Sequence, residues 1–305
     1  MGKNFRIFLT GGTGFFGKSL LAHCRELRNC ELVILSRNPE KLIGEIPGLK
    51  QDKRIKFMQG DIRDFELDNE NFDYIFHGAA TSGTVVSDDE TRSVIIDGTK
   101  HIIDFATSSG VKKILYVSSG AVYGNNNTTA VSEDFPCEPV NIYGSAKLEA
   151  EKLCLESGLP CCIARCFAFV GEYLPLDAHF AIGNFIRDCL DNRPIVIKGD
   201  GSPLRSYLYA GDLAQWLWTI LLNGKNGEAY NVGSDFSVSI AELASIVRTV
   251  AGTDNEIQIL SPPSGTRPQC YVPDISKASR ELGLEVETAL EDAIRKTIDF
   301  YKDKK

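Results

Sequence analysis

Thr10-Gly11-Gly12-Thr13-Gly14-Phe15-Phe16-Gly17 is the stretch on which the fold turns. It follows a strand-like run, Arg6-Ile7-Phe8-Leu9-Thr10, and opens a segment of helical spacing from about Phe16 to Leu27. Glycines at three-residue spacing permit a tight turn, close approach of a pyrophosphate and close packing of the helix. The helix N-terminus then faces the phosphates. The spacing is G-x-x-G-x-x-G, not the commoner G-x-G-x-x-G. Alone, such a motif is weak. Its place after the first strand of an alternating pattern makes it strong.

That alternation continues downstream. Glu31 to Leu35, Ile55 to Met58, Tyr74 to His77 and Lys113 to Ser118 read as strands, and Ile95 to Ala106 is apolar at helical spacing. Short continuous apolar strands between helices indicate parallel strands covered on both faces. The expectation is an α/β chain with a Rossmann, doubly wound parallel sheet. After about Leu159 the texture changes, with Pro175, Pro194, Pro203, Pro262, Pro263, Pro268 and Pro273 spread among short elements. Residues 1–166 are therefore expected to form the nucleotide-binding domain. Residues 167–305 are expected to form mainly a smaller C-terminal α/β substrate-binding lobe, interleaved with the sheet.

The chain has 305 residues, 43% hydrophobic and 24% charged, which supplies a sizeable core. Its net charge of −8 carries no Lys/Arg-rich block, which argues against nucleic acid. Trp216 to Leu222 is too short for a membrane span, and the start shows no apolar signal region. Nine cysteines lack zinc-ligand spacing and read as small core residues of a reducing cytoplasm, with no metal site.

The second strand ends in Ser36-Arg37-Asn38-Pro39-Glu40-Lys41, where NAD enzymes normally carry an acid for the ribose hydroxyl. Arg37 can stack on adenine and pair with a 2′-phosphate, and Lys41 can assist, so NADP is favoured over NAD. Asp61, beside Ile62, suits a carboxylate accepting from the adenine amino group. Two further segments carry chemistry: Ser118-Ser119-Gly120-Ala121 and Tyr143-Gly144-Ser145-Ala146-Lys147. On a helix Tyr143 and Lys147 share a face. A nearby ammonium is expected to lower the phenol pKa, so that Tyr143 exchanges a proton with a substrate oxygen. Ser119 would orient the same oxygen.

With these residues in view, the chain resembles the extended short-chain dehydrogenase/reductases, in the NAD-dependent epimerase/dehydratase (nucleotide-sugar) family. The resemblance spans nearly the whole chain. It rests on Thr10 to Gly17, Asp61, His77-Gly78-Ala79-Ala80, Ser119, the Tyr143/Lys147 pair, Gly199-Asp200-Gly201, Arg205, Tyr209, Asp212, Asn231-Val232-Gly233, Arg267-Pro268 and Asp274 to Ala278.

The resemblance implies a cofactor held by Gly11, Thr13, Gly14, Phe15, Phe16, Gly17, Ser36, Arg37, Lys41, Asp61, Ile62, His77, Ala79 and Ala80, besides Tyr143 and Lys147. It implies a nucleoside-diphosphate sugar met by Ser82, Ser119, Arg205 and Arg267, the arginines approaching the diphosphate. A homodimer through Ile95 to Ala106 and Ala146 to Leu155 is also implied.

Departures narrow the chemistry. Relatives that eliminate water carry Asp-Glu after the active serine or threonine, and decarboxylases carry Glu at the second place; here stand Gly120 and Ala121. Ile95 and Ala168 replace usual asparagines, and Ser206 replaces a usual acid. Hydride transfer at carbon 4 of the sugar remains, with a 4-keto reductase slightly ahead of a 4-epimerase. A reductase of a non-sugar carbonyl and a non-catalytic NADP-binding protein are the alternatives.

NADPH is expected to bind more tightly than NADH, and Arg37→Ala to remove the difference. Equal affinities in fluorescence titrations of the wild type would refute the Arg37 argument.

Overall fold

The computed structural model describes residues 5–27, 29–67, 70–80, 86–125, 129–178, 180–263, 265 and 267–304. The first half alternates as β1 (Phe5–Thr10), α1 (Phe15–Glu26), β2 (Cys30–Ser36), α2 (Pro39–Glu45), β3 (Ile55–Gln59), β4 (Tyr74–His77), α3 (Asp88–Arg92), α4 (Gly98–Ser109), β5 (Lys113–Ser119), α5 (Ile142–Glu156) and β6 (Cys161–Cys166). Shorter elements follow: β7 (Phe169–Val170), α6 (Ala181–Leu190), β8 (Ile195–Ile197), β9 (Leu204–Ser206), β10 (Leu208–Tyr209), α7 (Ala210–Asn223), β11 (Ala229–Val232), β12 (Ser237–Ser239), α8 (Ile240–Ala251), β13 (Ile257–Ile259), β14 (Cys270–Tyr271), α9 (Ser276–Leu282) and α10 (Leu290–Lys302).

Seven parallel strands form one sheet in the order β11-β6-β5-β4-β1-β2-β3. Strand order reverses between β1 and β4, and ligands bind at such a switch point in open α/β sheets. One face packs α1 and α7 residues such as Leu20, Leu21, Trp216 and Leu217 against Ile7, Leu9, Leu115 and Val117. The other packs Ile95, Ile102, Phe105, Ala146 and Ala150 against Phe8, Ile75, Ile114 and Tyr116. The seventh strand, β11, comes from the chain's second half, so the sheet is completed across the sequence. A separate core joins Ile182, Phe185, Ile186, Leu243, Val247, Ile294 and Ile298 from α6, α8 and α10.

The expected helix at Ile95 to Ala106 begins earlier than its apolar spacing suggests. Ser87 caps it by accepting from the Glu90 N–H, and Asp88, Asp89 and Glu90 sit in the first turn, where carboxylates favour a helix N-terminus. A π-turn at Ser93–Asp97 then links α3 to α4. One extra residue in that turn shifts the helical face, which hid the earlier part from a count at period 3.6. All nine cysteines are free thiols and eight are buried, the place expected of small core residues. Among the described residues no group of three or more His, Cys, Asp or Glu could hold a metal ion.

A buried polar network ties α5, β6 and β11 together. Glu151 is 2% exposed and pairs with Arg165 at 2.9 Å, the Arg165 Nε donating to both carboxylate oxygens at 3.2 Å. The Ser118 hydroxyl donates to the same carboxylate. Arg165 also donates to the Tyr123 hydroxyl at 3.0 Å, which donates to Asn231 Oδ1 at 2.8 Å. Asn231 Nδ2 in turn donates to the Val131 and Asp274 carbonyls at 2.9 and 3.1 Å. Each buried polar group finds a partner, which is the condition for such a network to hold.

Glu151→Ala strands the Arg165 guanidinium in the core and is expected to cost about 3–5 kcal/mol. An unchanged denaturation midpoint would show that the pair does not hold the fold.

Candidate active site

The glycine loop leaves β1 with Gly11 at φ +78°. A Cβ there would lie 2.5 Å from the Gly78 carbonyl oxygen, so only glycine fits. Helix α1 then starts at Gly14 with no side chain capping it and no acid in its first turn. Its first N–H groups therefore face outward without side-chain partners, which suits a phosphate. Phe15 and Phe16 pack on Phe169, at 6.4 and 5.1 Å between ring centroids, and Gly17 is buried at the turn. Thr13 is partly exposed on the same loop. A dinucleotide fits this cradle.

Around it, several expected contacts change. His77 is fully buried, with Nδ1 2.9 Å from Thr10 Oγ1 and Nε2 3.0 Å from Thr99 Oγ1. Burial and the Lys147 charge pull its pKa down to about 3, so it stays neutral. Its imidazole is closed off inside the core, which leaves only its backbone for a cofactor contact. Instead it fixes Thr10, which accepts from the Ala79 N–H at 3.2 Å and so sets the Ala79–Ala80 turn.

Asp61 is also differently engaged. Both its carboxylate oxygens accept from Arg63, at 2.8 and 2.9 Å, and Arg63 in turn pairs with Glu90 at 3.0 Å. Arg63, then the charge of Arg37, holds the Asp61 carboxyl below its usual pKa. An adenine amino group would have to share an already bridged carboxylate. The Ile62 side chain is buried in the core against the Gly98 position, leaving only its backbone for a cofactor. The Ser36 hydroxyl is buried and accepts from the Asn38 N–H at 3.1 Å. Arg37 and Lys41 are exposed at the loop edge, as a phosphate contact requires. Ser82 lies outside the described residues.

The catalytic candidates converge at the carboxyl end of β5. Ser119 caps the following turn, its Oγ accepting from the Ala121 N–H at 3.2 Å. Asn141 caps α5 by accepting from the Gly144 N–H at 2.8 Å, which places Tyr143 in the helix's first turn. The Ser119 hydroxyl lies near enough to the Tyr143 phenol to favour its ionised form. Lys147 is 2% exposed; its Nζ donates to the Val117 carbonyl at 2.8 Å and lies 5.8 Å from the Tyr143 ring centroid. Burial pulls its pKa down to about 8.

The expected fall in the Tyr143 pKa is not found. Burial raises it, with a further push from Tyr271, and only the Ser119 hydroxyl opposes the rise. The ammonium faces the phenol's ring and is tethered to a carbonyl, so desolvation of the phenolate outweighs it.

The two candidate arginines both lie in the second half of the chain. Arg205, on β9, lies with its guanidinium 5.7 Å from the Tyr271 ring centroid and donates to the Leu204 carbonyl at 2.8 Å. Arg267 is exposed and lines a cavity of about 340 Å³ with Asp200, Pro203, Pro262 and Gln269. The pairing of β14 with β9 brings the segment after Arg267 beside Arg205. Sequence reasoning missed Tyr271, whose hydroxyl stands 2.9 Å from where a Cβ at Gly120 would lie. A two-residue strand has no periodicity to reveal it, and its register with β9 is a purely tertiary fact.

Comparison with known proteins agrees with this layout. The model of the NAD dependent epimerase/dehydratase family matches residues 7–233. A putative UDP-glucose 4-epimerase of Methanocaldococcus jannaschii is 30% identical, with 97% of this chain and 98% of the relative covered. A dTDP-D-glucose 4,6-dehydratase of Mus musculus is 28% identical over 97% of this chain and 88% of the relative. Among solved structures, a UDP-glucuronic acid 4-epimerase from Bacillus cereus in complex with NAD superposes with a TM-score of 0.87 at 27% identity, covering 98% of this chain and 99% of that one.

Lys147→Met is expected to raise the denaturation midpoint near neutral pH. The wild type holds a buried ammonium whose pKa falls from 10.5 to about 8, a cost on the order of 3 kcal/mol. Between these values the unfolded chain keeps the proton and the folded chain sheds it, so wild-type stability rises with pH. The gap between variant and wild type should therefore be widest below about pH 8 and close toward 10.5. A gap independent of pH would count against a buried ammonium.

Proposed function

We propose that this chain, which belongs to the NAD dependent epimerase/dehydratase family, transfers a hydride at carbon 4 of a nucleoside-diphosphate sugar, acting as a 4-keto reductase. The observation that carries the reading is the meeting of Ser119, Tyr143 and Lys147 where the sheet's carboxyl edge faces the glycine loop. A bound nicotinamide dinucleotide supplies the hydride. Ser119 orients the sugar's carbonyl oxygen and Tyr143 gives it a proton as the carbon is reduced. Lys147 then favours the tyrosinate that remains. Burial keeps the Tyr143 phenol protonated at neutral pH, which suits a proton donor to a ketone. Exposed Arg37 supports NADP as the hydride source.

Arg205 and Arg267 are proposed to meet the diphosphate. Guanidinium pairs bidentately with phosphate oxygens, and two placed arginines can outweigh an acidic surface locally. Elimination and decarboxylation are disfavoured despite dehydratases among the relatives. A Cβ at position 120 would lie 2.9 Å from both the Phe167 ring and Tyr271 Oη, so an acid there would have to displace these side chains, and position 121 is alanine. The division of the chain near residue 166 and pairing of two copies through α4 and α5 belong to the same proposal. Leu155 on α5 is 43% exposed, an apolar contact available for that pairing. No helix among the described residues is long and apolar enough to cross a membrane, and nine free thiols fit a reducing cytoplasm.

A 4-epimerase is the second reading, favoured by the relative at 30% identity. It uses the same residues in both directions and consumes no net cofactor. The two separate in one assay: UDP-, dTDP-, GDP- and CDP-sugars, with their 4-keto-6-deoxy forms, are incubated with NADPH or NAD. Stoichiometric loss of absorbance at the nicotinamide marks a reductase; interconversion of carbon-4 epimers without it marks an epimerase. Tyr143→Phe should lower kcat about 10²–10⁴-fold. Unchanged turnover in that variant would sink both readings.

A further inference from the structure

Lys147 is buried, so its charge has to be held by the groups around it. Successive residues of β5 face opposite sides of the sheet. Leu115 and Val117 join one core, while Ile114 and Tyr116 join the other, beneath α4 and α5. Two strand residues advance about 6.6 Å, and four helix residues advance about 6 Å. Tyr116 and Ser118 on the strand therefore meet Lys147 and Glu151 on the helix in turn. Ser118 donates to the Glu151 carboxylate, and the Lys147 Nζ stands 4.9 Å from the Tyr116 ring centroid. That ring is 1% exposed and lies 5.4 Å from the His77 ring, centroid to centroid.

Several other groups face the ammonium. Val117 on β5 gives a carbonyl at 2.8 Å. Tyr143, Glu151 and Cys154 stand on α5, Cys166 on β6 and His77 on β4. Glu151 is already engaged by Arg165 and Ser118. Burial pushes both thiols and the Tyr143 phenol up, so they stay protonated, and His77 stays neutral. On α3 and α4, Arg92, Asp97 and Lys100 belong to exposed ion pairs. The Tyr143 ring is the more distant of the two rings, at 5.8 Å. A cation over a phenol's face is attracted by the ring quadrupole, most strongly where water is excluded. We propose that Tyr116 is a positioning residue: its ring is the electrostatic floor that keeps the Lys147 ammonium charged beside Tyr143. The hydroxyl has no share in this. It finds no hydrogen-bond partner among the described residues, and burial keeps it protonated. The consequence for turnover rests on the hydride-transfer reading; the placement of the ring does not.

Tyr116→Phe keeps the ring and drops the unpartnered hydroxyl, so it serves as the reference. Pentafluorophenylalanine installed at the same position keeps the ring's shape and reverses its quadrupole. Lysine labelled with carbon-13 at Cε reports the titration of the full-length protein by NMR, the Lys147 signal being assigned by its loss in Lys147→Met. The wild type should titrate near 8. The Tyr116→Phe protein should follow within about 0.3 pH units, and the fluorinated protein should titrate about one unit lower. Coincident titrations of these two variants overturn the proposal. So does a Tyr116→Phe titration displaced by a full unit, because the hydroxyl would then hold the charge. Should the fluorinated chain fold poorly, para-fluorophenylalanine carries the same comparison, with a smaller shift in the same direction.

The second readout is the pH profile of turnover. With the sugar nucleotide turned over in the UDP-, dTDP-, GDP- and CDP-sugar panel, kcat should fall as the ammonium is lost. The alkaline limb of the fluorinated protein should lie about one pH unit below that of Tyr116→Phe, so that kcat is about tenfold lower above both limbs. KM should stay within about twofold. A merely structural role would lower kcat at every pH and leave the limb in place, and that result overturns the positioning role. If no sugar nucleotide is turned over, the hydride-transfer reading fails, while the NMR titration still stands or falls for Tyr116.

Discussion

At the point where strand order reverses, two backbones nearly touch. The Gly11 position approaches the Gly78 carbonyl so closely that a single methyl group would lie 2.5 Å from it. The rest of the nucleotide side follows from that contact. It brings the β1 turn against the β4 turn, starts α1 with its N–H groups facing outward, and leaves a narrow crevice at the sheet's edge. Thr10, His77 and Thr99 clamp the contact from below through hydrogen bonds at 2.9 and 3.0 Å. A neutral imidazole suits that task, since it donates at one nitrogen and accepts at the other. The histidine therefore shapes the crevice from inside the core, and its chemistry is architectural.

The opposite wall pays for function in stability. Glu151 and Arg165 are buried but paired, and the pair is further satisfied by Ser118 and Tyr123. Lys147 is equally buried, yet its Nζ reaches only a carbonyl and two aromatic rings, 4.9 and 5.8 Å from their centroids. Partial compensation of this kind is what lowers its pKa toward the working range. The two buried charges thus sit a few residues apart on α5 with different duties. One holds β6 and β11 in place; the other is held in a costly state that a structural role does not explain.

The alternating strands and the glycine loop were legible because they are local. A strand buried on both faces reads as a continuous apolar run, and Cys161 to Cys166 shows even cysteine and arginine conforming to it. Tyr143 and Lys147 were legible because helical spacing alone puts them on one face. What sequence could not show was decided by partners far along the chain. Arg63 claims Asp61 from two residues away, which spacing permits but does not announce. The Tyr143 pKa depends on how deeply the ring is buried and on where Lys147 Nζ is tethered, and neither is a property of a motif. The start of α3 was hidden by a π-turn that breaks the period. Tyr271 lay in a two-residue strand whose register only the folded lobe defines.

Chemistry at the β5 edge is then a matter of hydroxyls. Gly120 and Ala121 carry no acid, and the space above Gly120 is closed by Phe167 and Tyr271. Three hydroxyl-bearing side chains, Ser119, Tyr143 and Tyr271, stand close to that space. Such groups hold and pass protons without a standing negative charge. On the proposed function that matters, because a chain of net charge −8 would have to admit a diphosphate. A carboxylate at the reacting centre would repel the substrate's phosphates and need its own counter-ion. Phenols and a serine avoid the repulsion, and the proposed function leaves anion binding to the bare N-terminus of α1, Arg205 and Arg267. The absence of an acid beside Ser119 and the local handling of charge are one solution to one electrostatic constraint.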